Sequence, residues 1–232
     1  MTLTDLKNSW VDEPDYHKQI HESFCEKVNA DPKLKEHRDF VQDNIWGFGE
    51  RSFWWLWKLI CDELPDDAIL CEIGVFKGAT LSVWQLLQKN KGVTVGVTPL
   101  NSTGIGWEGD YKAMIHEILK RFNGHQPILI EGLSESKYVI DEAKFLAPYD
   151  IVYIDGGHER RHIDNDLLHY APMVKQGGYL VIDDACCDMK MPWGYFQGIQ
   201  DVTDGVLAYM AEHGNDWEFI CNVVHLRLYK RK

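Results

Sequence analysis

Three carboxylates follow directly on two apolar, β-branched runs. Ile151–Ile154 stops at Asp155, and Tyr179–Ile182 stops at Asp183 and Asp184. The stretch between the runs is about one helix long, which is what a right-handed crossover between two parallel strands requires. Ligands of open α/β sheets bind at the carboxyl ends of the strands, so the three acids are expected to meet at one edge of one sheet. Like charges gathered there are costly without a counter-charge. A divalent cation or a cationic ligand would supply it, and an all-oxygen ligand set with room for water suits Mg²⁺ better than zinc. The plain alternative is a set of helix caps and loop carboxylates.

His158 lies three residues past Asp155. An imidazole there could take a proton near neutral pH, or it could be a surface histidine at a helix start. The run from His158 to His162 also spells H-E-x-x-H, in which two histidines bind zinc and Glu159 activates water. The context argues against that reading. Arg160 and Arg161 would set positive charge beside a cation, Gly156 and Gly157 directly precede the run, and a third ligand is not evident.

A second candidate segment is CEIGVFKGAT, residues 71–80, read as a strand end, a tight turn and a helix start. Gly74 and Gly78 would let backbone approach a ligand closely, and the helix start at Thr80 would offer free N–H groups. The spacing is not the dinucleotide G-x-G-x-x-G, and a P-loop Lys-Ser/Thr is absent.

The elements that must position these residues alternate along the chain. Strands are expected at 68–73, 93–97, 127–131, 150–154, 178–182, 217–223 and 225–230. Helices are expected at 78–89, 110–122, 134–143, 160–173 and 197–212. Such alternation predicts a doubly wound, mostly parallel seven-stranded α/β sheet with an antiparallel pair at its end. Residues 1–65 are read as an N-terminal helical extension or lid, with helical patterning near 15–29 and 33–44, and residues 66–232 as the main domain. In residues 45–65, Phe53, Leu56, Trp57, Ile60 and Leu64 recur at helical spacing before Pro65. Trp46, Trp54, Trp55 and Trp57 are read as core, or as packing between subunits of a homo-oligomer, or as an aromatic cover over an acceptor. Arg51 in GFGER is a candidate contact to an anionic group. The long Gly-rich stretch from Thr98 to Gly109 is a candidate ligand loop.

Bulk properties exclude several partners. A net charge of −12 argues against nucleic acid or an anionic membrane surface. No apolar run reaches about 18 residues, so no membrane span is expected. The first residues, MTLTDLKNSW, lack an apolar signal core, and six cysteines without framework spacing fit reduced thiols; both predict a cytoplasmic protein.

Taken together, CEIGVFKGAT, IDGGHERRHIDNDL and QGGYLVIDDA resemble the class I S-adenosylmethionine-dependent methyltransferases, a Rossmann-like fold. More narrowly they are similar to the metal-dependent O-methyltransferases that modify sugars on macrolides and aminocoumarins. The resemblance covers roughly residues 66–230. It implies that Gly74, Val75 and Gly78 line the methionine and ribose of the cofactor, with Glu72 near its ammonium group and Thr80 beside them. It implies Asp155, Asp183 and Asp184 as Mg²⁺ ligands, with Asp155 also against the cofactor and in catalysis, His158 as the general base, and Ser134 near the adenine. One departure stands out. Where the second strand of such proteins ends in an acid for the ribose hydroxyls, this chain has Thr98, which cannot accept two hydrogen bonds as a carboxylate does; Glu108 or Asp110 could substitute. Leu133 stands where an acid sometimes follows the third strand.

The resemblance thus implies Mg²⁺-dependent methyl transfer from S-adenosylmethionine to a hydroxyl of a sugar or other small polyhydroxylated acceptor. The alternatives are a non-catalytic binding protein of the same fold, a metal-dependent hydroxylase-like enzyme, and the H-E-x-x-H zinc hydrolase.

Overall fold

The computed structural model describes residues 1–88, 92–100 and 109–232. Four helices lead: α1 (Leu3–Ser9), α2 (Pro14–Ala30), α3 (Pro32–Asp43) and α4 (Arg51–Glu63). Then strands and helices alternate: β1 (Ile69–Ile73), α5 (Ala79–Leu87), β2 (Val93–Thr98), α6 (Tyr111–Arg121), β3 (Ile128–Glu131), α7 (Lys137–Leu146), β4 (Tyr149–Ile154), α8 (Arg160–Tyr170), β5 (Val174–Ile182), α9 (Gln200–His213), β6 (Trp217–Val223) and β7 (Leu226–Arg231).

The strands form one sheet in the order β3-β2-β1-β4-β5-β7-β6. β3, β2, β1, β4 and β5 run parallel, and β7 pairs antiparallel with β5 and β6. The order reverses between β1 and β4, so the crevice for a ligand lies at their carboxyl ends.

Two layers cover the sheet, and strand alternation assigns side chains to them. Leu70, Ile151, Tyr153, Tyr179 and Val181 join a core with Phe24, Phe53, Trp57 and Trp84 of α2, α4 and α5. Cys71, Ile73, Val152, Ile154, Leu180 and Ile182 join the opposite core with Val139, Ile163, Leu167 and Val206 of α7, α8 and α9. Residues two apart share a face. Glu72 follows Leu70, Asp155 follows Tyr153 and Asp183 follows Val181, so all three acids lean toward the layer built by the N-terminal helices. The register, Glu72 beside Tyr153 and Tyr153 beside Val181, brings Asp155 and Asp183 level and sets Glu72 one same-face step below them.

The four leading helices are part of this packing. Leu3 and Leu6 of α1, Ile20, Phe24 and Val28 of α2, and Leu34 and Val41 of α3 are buried in the same core as α4. His37 of α3 binds α4 and α5 together: Trp54 Nε1 donates to its Nδ1 at 2.9 Å, and its Nε2 lies 3.1 Å from Ser82 Oγ. Burial pushes the His37 imidazole down to about 3, so it stays neutral.

The structure departs from the sequence reading at several bounds, α7 running three residues later than expected and α9 starting three later. The sequence pattern does not predict α1; a capping box between Thr2 and Asp5 forms it. α8 ends at Tyr170 and a 3₁₀ turn follows over Ala171–Met173, because Pro172 has no N–H to extend the helix. β5 begins at Val174 rather than Gly178, with a register shift against β4 between Tyr149 and Ile151.

Candidate functional site

The carboxyl ends of β1, β4 and β5 gather Glu72, Asp155, Asp183 and Asp184 around a cavity of ≈ 390 Å³. Asp155 N–H donates to Ile73 O at 2.8 Å and Asp183 N–H to Ile154 O at 3.0 Å, so each acid leaves its strand while still tied to the neighbouring one. The Tyr153 hydroxyl sits between them, 3.1 Å from Asp155 Oδ2 and 2.9 Å from Asp183 Oδ2. Asp184 adopts φ +54, a left-handed conformation that aspartate tolerates better than most residues. Ile199 N–H donates to its carbonyl at 2.8 Å, and Gly198 packs so closely that a Cβ there would lie 2.2 Å from that same oxygen.

Two histidines face these acids. His158 follows β4, half-exposed, with Nε2 3.4 Å from Asp184 Oδ2. His225 is buried at the tip of the β6–β7 hairpin, with Nε2 3.4 Å from Asp183 Oδ1 and 3.9 Å from Asp184 Oδ1. Ala185 N–H donates to the His225 carbonyl at 2.9 Å, and the rings of Phe53 and Phe196 stand edge-on to the imidazole at 4.9 and 5.0 Å.

Burial and mutual repulsion set the charge. Burial, then Asp183, Glu72 and Asp184, hold the Asp155 carboxyl well above the usual range. Asp184 is raised by burial and Asp183, against the pull of His225 and His158. Glu72 is pushed up to about 8 by burial, although Thr80 and Leu81 hydrogen-bond its carboxylate; its Oε2 is buried without a hydrogen-bond partner. Carboxyls crowded in this way favour a nearby positive charge. The donor set fits a divalent cation: one ligand atom from each of Asp183, Asp184 and His225 lies within 4.8 Å of the others. This differs from the set expected from the sequence. Asp155 does not join that trio and is turned onto the Tyr153 hydroxyl, whereas His225 does join.

A second cavity of ≈ 680 Å³ adjoins the first over β1, β2 and β3, and the two share Phe48, Phe76, Asp155 and His158 as lining. Gly74, Val75, Thr98 and Ser134 line the second cavity; Glu72, Gly78 and Thr80 line the first. Gly74 is required for this geometry. It has φ +100, and a Cβ on it would lie 2.0 Å from the Asp155 carbonyl. Gly74 and Val75 donate their N–H groups to Val97 O at 3.0 and 3.2 Å, which folds the turn over β2.

Thr98 lines the second cavity but is tied to the chain's own backbone. It is 1% exposed, its hydroxyl donates to Val75 O at 2.9 Å, and Leu100 N–H donates to that hydroxyl at 3.1 Å. Its one proton is committed to holding the turn. Of the two expected substitutes, Asp110 caps α6 through Ala113 N at 2.9 Å, and Glu108 lies outside the described residues, as does most of the 98–109 stretch.

The remaining candidates are placed as follows. α8 begins at Arg160, so His158 and Glu159 precede it and the H-E-x-x-H histidines do not share a helix face; His162 Nε2 instead lies 3.9 Å from Glu135. Arg51 is held by Asp39 at 2.7 Å and Asn29 at 3.0 Å, within the helical layer. Trp54 and Trp57 are core, while Trp46 donates Nε1 to Lys77 O at 2.8 Å beside the first cavity. All six cysteines are free.

A sequence profile described as a methyltransferase domain matches residues 71–185. An uncharacterized protein of Acanthamoeba polyphaga mimivirus is 32% identical over 125 residues; the match takes in 51% of this chain and 52% of that protein, so the chain spans about half the length of its curated relative. Among solved structures, the O-methyltransferase from Bacillus cereus in complex with SAH superposes with a TM-score of 0.60 at 12% identity, over 87% of this chain and 91% of the other. TomG from Streptomyces achromogenes, an O-methyltransferase in complex with SAM, gives 0.58 at 15%, over 87% and 90%. MycE, a methyltransferase of the mycinamycin pathway in complex with Mg and SAH, gives 0.58 at 18%, over 86% of this chain and 55% of MycE. These likenesses establish the class I methyltransferase fold for this chain.

Proposed function

We propose that this chain, which carries a methyltransferase domain over residues 71–185 in the class I fold, transfers a methyl group from S-adenosylmethionine to a hydroxyl of a sugar or other small polyhydroxylated acceptor. A divalent cation, Mg²⁺ on the sequence resemblance, is assigned to the acid cluster. The observation that carries this reading is the pair of adjoining cavities that share Asp155 and His158. One takes the cofactor against Gly74, Val75 and Ser134; the other takes the acceptor beside Asp183 and Asp184.

When bound, the cofactor supplies an electrophilic methyl group on a sulfonium sulfur, and the cation favours the alkoxide form of an acceptor hydroxyl. The rest is the work of the chain. Gly74 and Val75 shape the floor under the methionine. Glu72, held by Thr80, lines the first cavity, into which the ammonium end of the cofactor would reach. Aromatic rings of Phe48 and Phe76 stand where the cavities meet, stacked at 5.6 Å, and flank the passage between them. His158 accepts the hydroxyl proton, and Asp184 beside it stabilises the imidazolium that results. Residues 1–65 act as the cover of the acceptor side, through Trp46, Phe48, Phe53 and Trp54 in the cavity wall. Six free cysteines support a cytoplasmic setting, and no helix among the described residues is long and apolar enough to cross a membrane.

The committed hydroxyl of Thr98 favours one second reading, a binding protein of the same fold with weakened cofactor contacts. Calorimetry with S-adenosylhomocysteine, with and without Mg²⁺, followed by methyl-transfer assays on a panel of sugars and catechols, separates the two. Micromolar binding with turnover supports the enzyme, binding without turnover on any acceptor supports the second reading, and no nucleoside binding overturns both.

A further inference from the structure

His225 comes from the far end of the chain, yet it is built into the acid cluster as firmly as the aspartates. Its backbone is pinned by Ala185 N–H, one residue beyond Asp184. Val224 before it takes φ +52, a costly conformation for a β-branched residue that turns the hairpin tip inward. Phe53 and Phe196 fix the ring from two sides. The result points Nε2 at both aspartates, leaving Nδ1 buried without a hydrogen-bond partner. Glu72 Oε2, also buried and unpartnered, lines the same cavity. Among the described residues, Asp183, Asp184 and His225 are the trio whose ligand atoms come within 4.8 Å of one another.

That donor set has a chemical consequence. Mg²⁺ favours oxygen ligands in near-ideal octahedra and retains waters. Imidazole nitrogen suits first-row transition ions rather than Mg²⁺, and Mn²⁺ is the one among them that is also at home with carboxylate and water ligands. We propose that His225 coordinates the divalent cation together with Asp183 and Asp184, and that the centre therefore takes a transition ion such as Mn²⁺ in preference to Mg²⁺. Asp155, on the other side of the Tyr153 hydroxyl from Asp183, is then a neighbour of the centre rather than a ligand. The proposal rests on the metal-dependent reading above and replaces its Mg²⁺ with a named class of ion.

The test uses the full chain stripped of metal, titrated with Mn²⁺ alone and Mg²⁺ alone by calorimetry. Pulsed electron paramagnetic resonance of the Mn²⁺ form reads directly bound nitrogen. The same measurements are made on His225→Asn, and each sample is also titrated with S-adenosylhomocysteine and melted. The expected result is Mn²⁺ binding about tenfold or more tighter than Mg²⁺, with a ¹⁴N coupling in the wild type. His225→Asn loses that coupling and about tenfold or more in Mn²⁺ affinity, while its Mg²⁺ affinity changes little. A Mn²⁺ spectrum without bound nitrogen, or equal affinity for the two ions, overturns the inference and leaves a Mg²⁺ site standing. If neither ion binds while S-adenosylhomocysteine does, the metal falls out of the proposed function and the inference falls with it. The wild-type spectrum decides the matter even if His225→Asn folds poorly.

Discussion

The Tyr153 hydroxyl stands 2.9 Å from Asp183 Oδ2, joining the face of β4 to the end of β5. The same hydroxyl is 3.1 Å from Asp155 Oδ2. A phenol has one proton to give, so it bridges two carboxylates that otherwise repel. Tyr153→Phe is expected to destabilise the metal-free protein by about 1–3 kcal/mol at pH 8. The loss should be smaller at pH 5. Asp155 is raised well above its usual range, so in acid it is protonated and the repulsion that the hydroxyl bridges is smaller. Thermal melts of both proteins at the two pH values check this; an equal loss at both would show that the hydroxyl does not mediate between the acids.

Gly74 sets how closely β1 approaches β4. Its φ of +100, and the mere 2.0 Å that would separate a Cβ at this position from the Asp155 carbonyl, leave no room for alanine. Gly74→Ala is therefore expected to cost more than about 2 kcal/mol, and to weaken S-adenosylhomocysteine binding in whatever fraction still folds. Gly214, with nothing within 4 Å of the corresponding position, is the control; Gly214→Ala should change neither melting temperature nor cofactor affinity. Similar melts for the two variants would remove the close-approach argument.

How much of this site the sequence discloses follows from where its residues lie. Asp155, Asp183 and Asp184 are legible because strand ends are marked by the change from apolar runs to acids, and the parallel topology does the rest. His225 is not. Its pattern places it at the start of the last strand, and nothing local in VVHLR says that a two-residue hairpin turns it inward against residues 41 and 42 positions earlier. Tyr153 is hidden among the apolar residues of β4, where its hydroxyl gives no periodic signal. Thr98 misleads for the opposite reason: its position is right for a ligand contact, but a hydroxyl can close a turn on its own backbone and here it does. The alternation of strands and helices is legible throughout. The depth to which α1–α3 enter the core is not, because their buried residues are sparse among charges.

Glu72 gives the site a pH signature. Its folded carboxyl is pushed up to about 8 by burial, whereas an unfolded glutamate titrates near 4.3. Between those values the folded state holds more protons than the unfolded one, so metal-free stability falls as pH rises through that window, by at most about 1.4 kcal/mol per unit. Glu72→Gln should flatten the fall and leave the variant more stable than wild type above pH 8. It should not abolish the fall, because Asp155 and Asp184 are displaced in the same direction. Denaturant titrations from pH 5 to 9 measure the slope; a variant slope equal to that of wild type would place the Glu72 charge in water.

His158 and Asp183 should fail in different ways. His158 is half-exposed and reaches the cluster through Asp184, at 3.4 Å. Removing a proton acceptor costs turnover, typically about 10²–10⁴-fold, and a glutamine keeps most of the side chain's bulk at the rim the two cavities share. His158→Gln is therefore expected to lower kcat by that order with S-adenosylhomocysteine and metal affinities within about threefold of wild type. Asp183 is shared by Tyr153, His225 and its own neighbour, whose N–H donates to Asp183 Oδ1 at 3.1 Å. Asp183→Asn keeps the shape but removes a charge from the ligand set, so metal affinity should drop by about tenfold or more, and activity should recover in part at high metal concentration. The His158 variant should show no such rescue. Rescue of both by metal would make His158 a further ligand, and rescue of neither would place Asp183 in proton transfer instead.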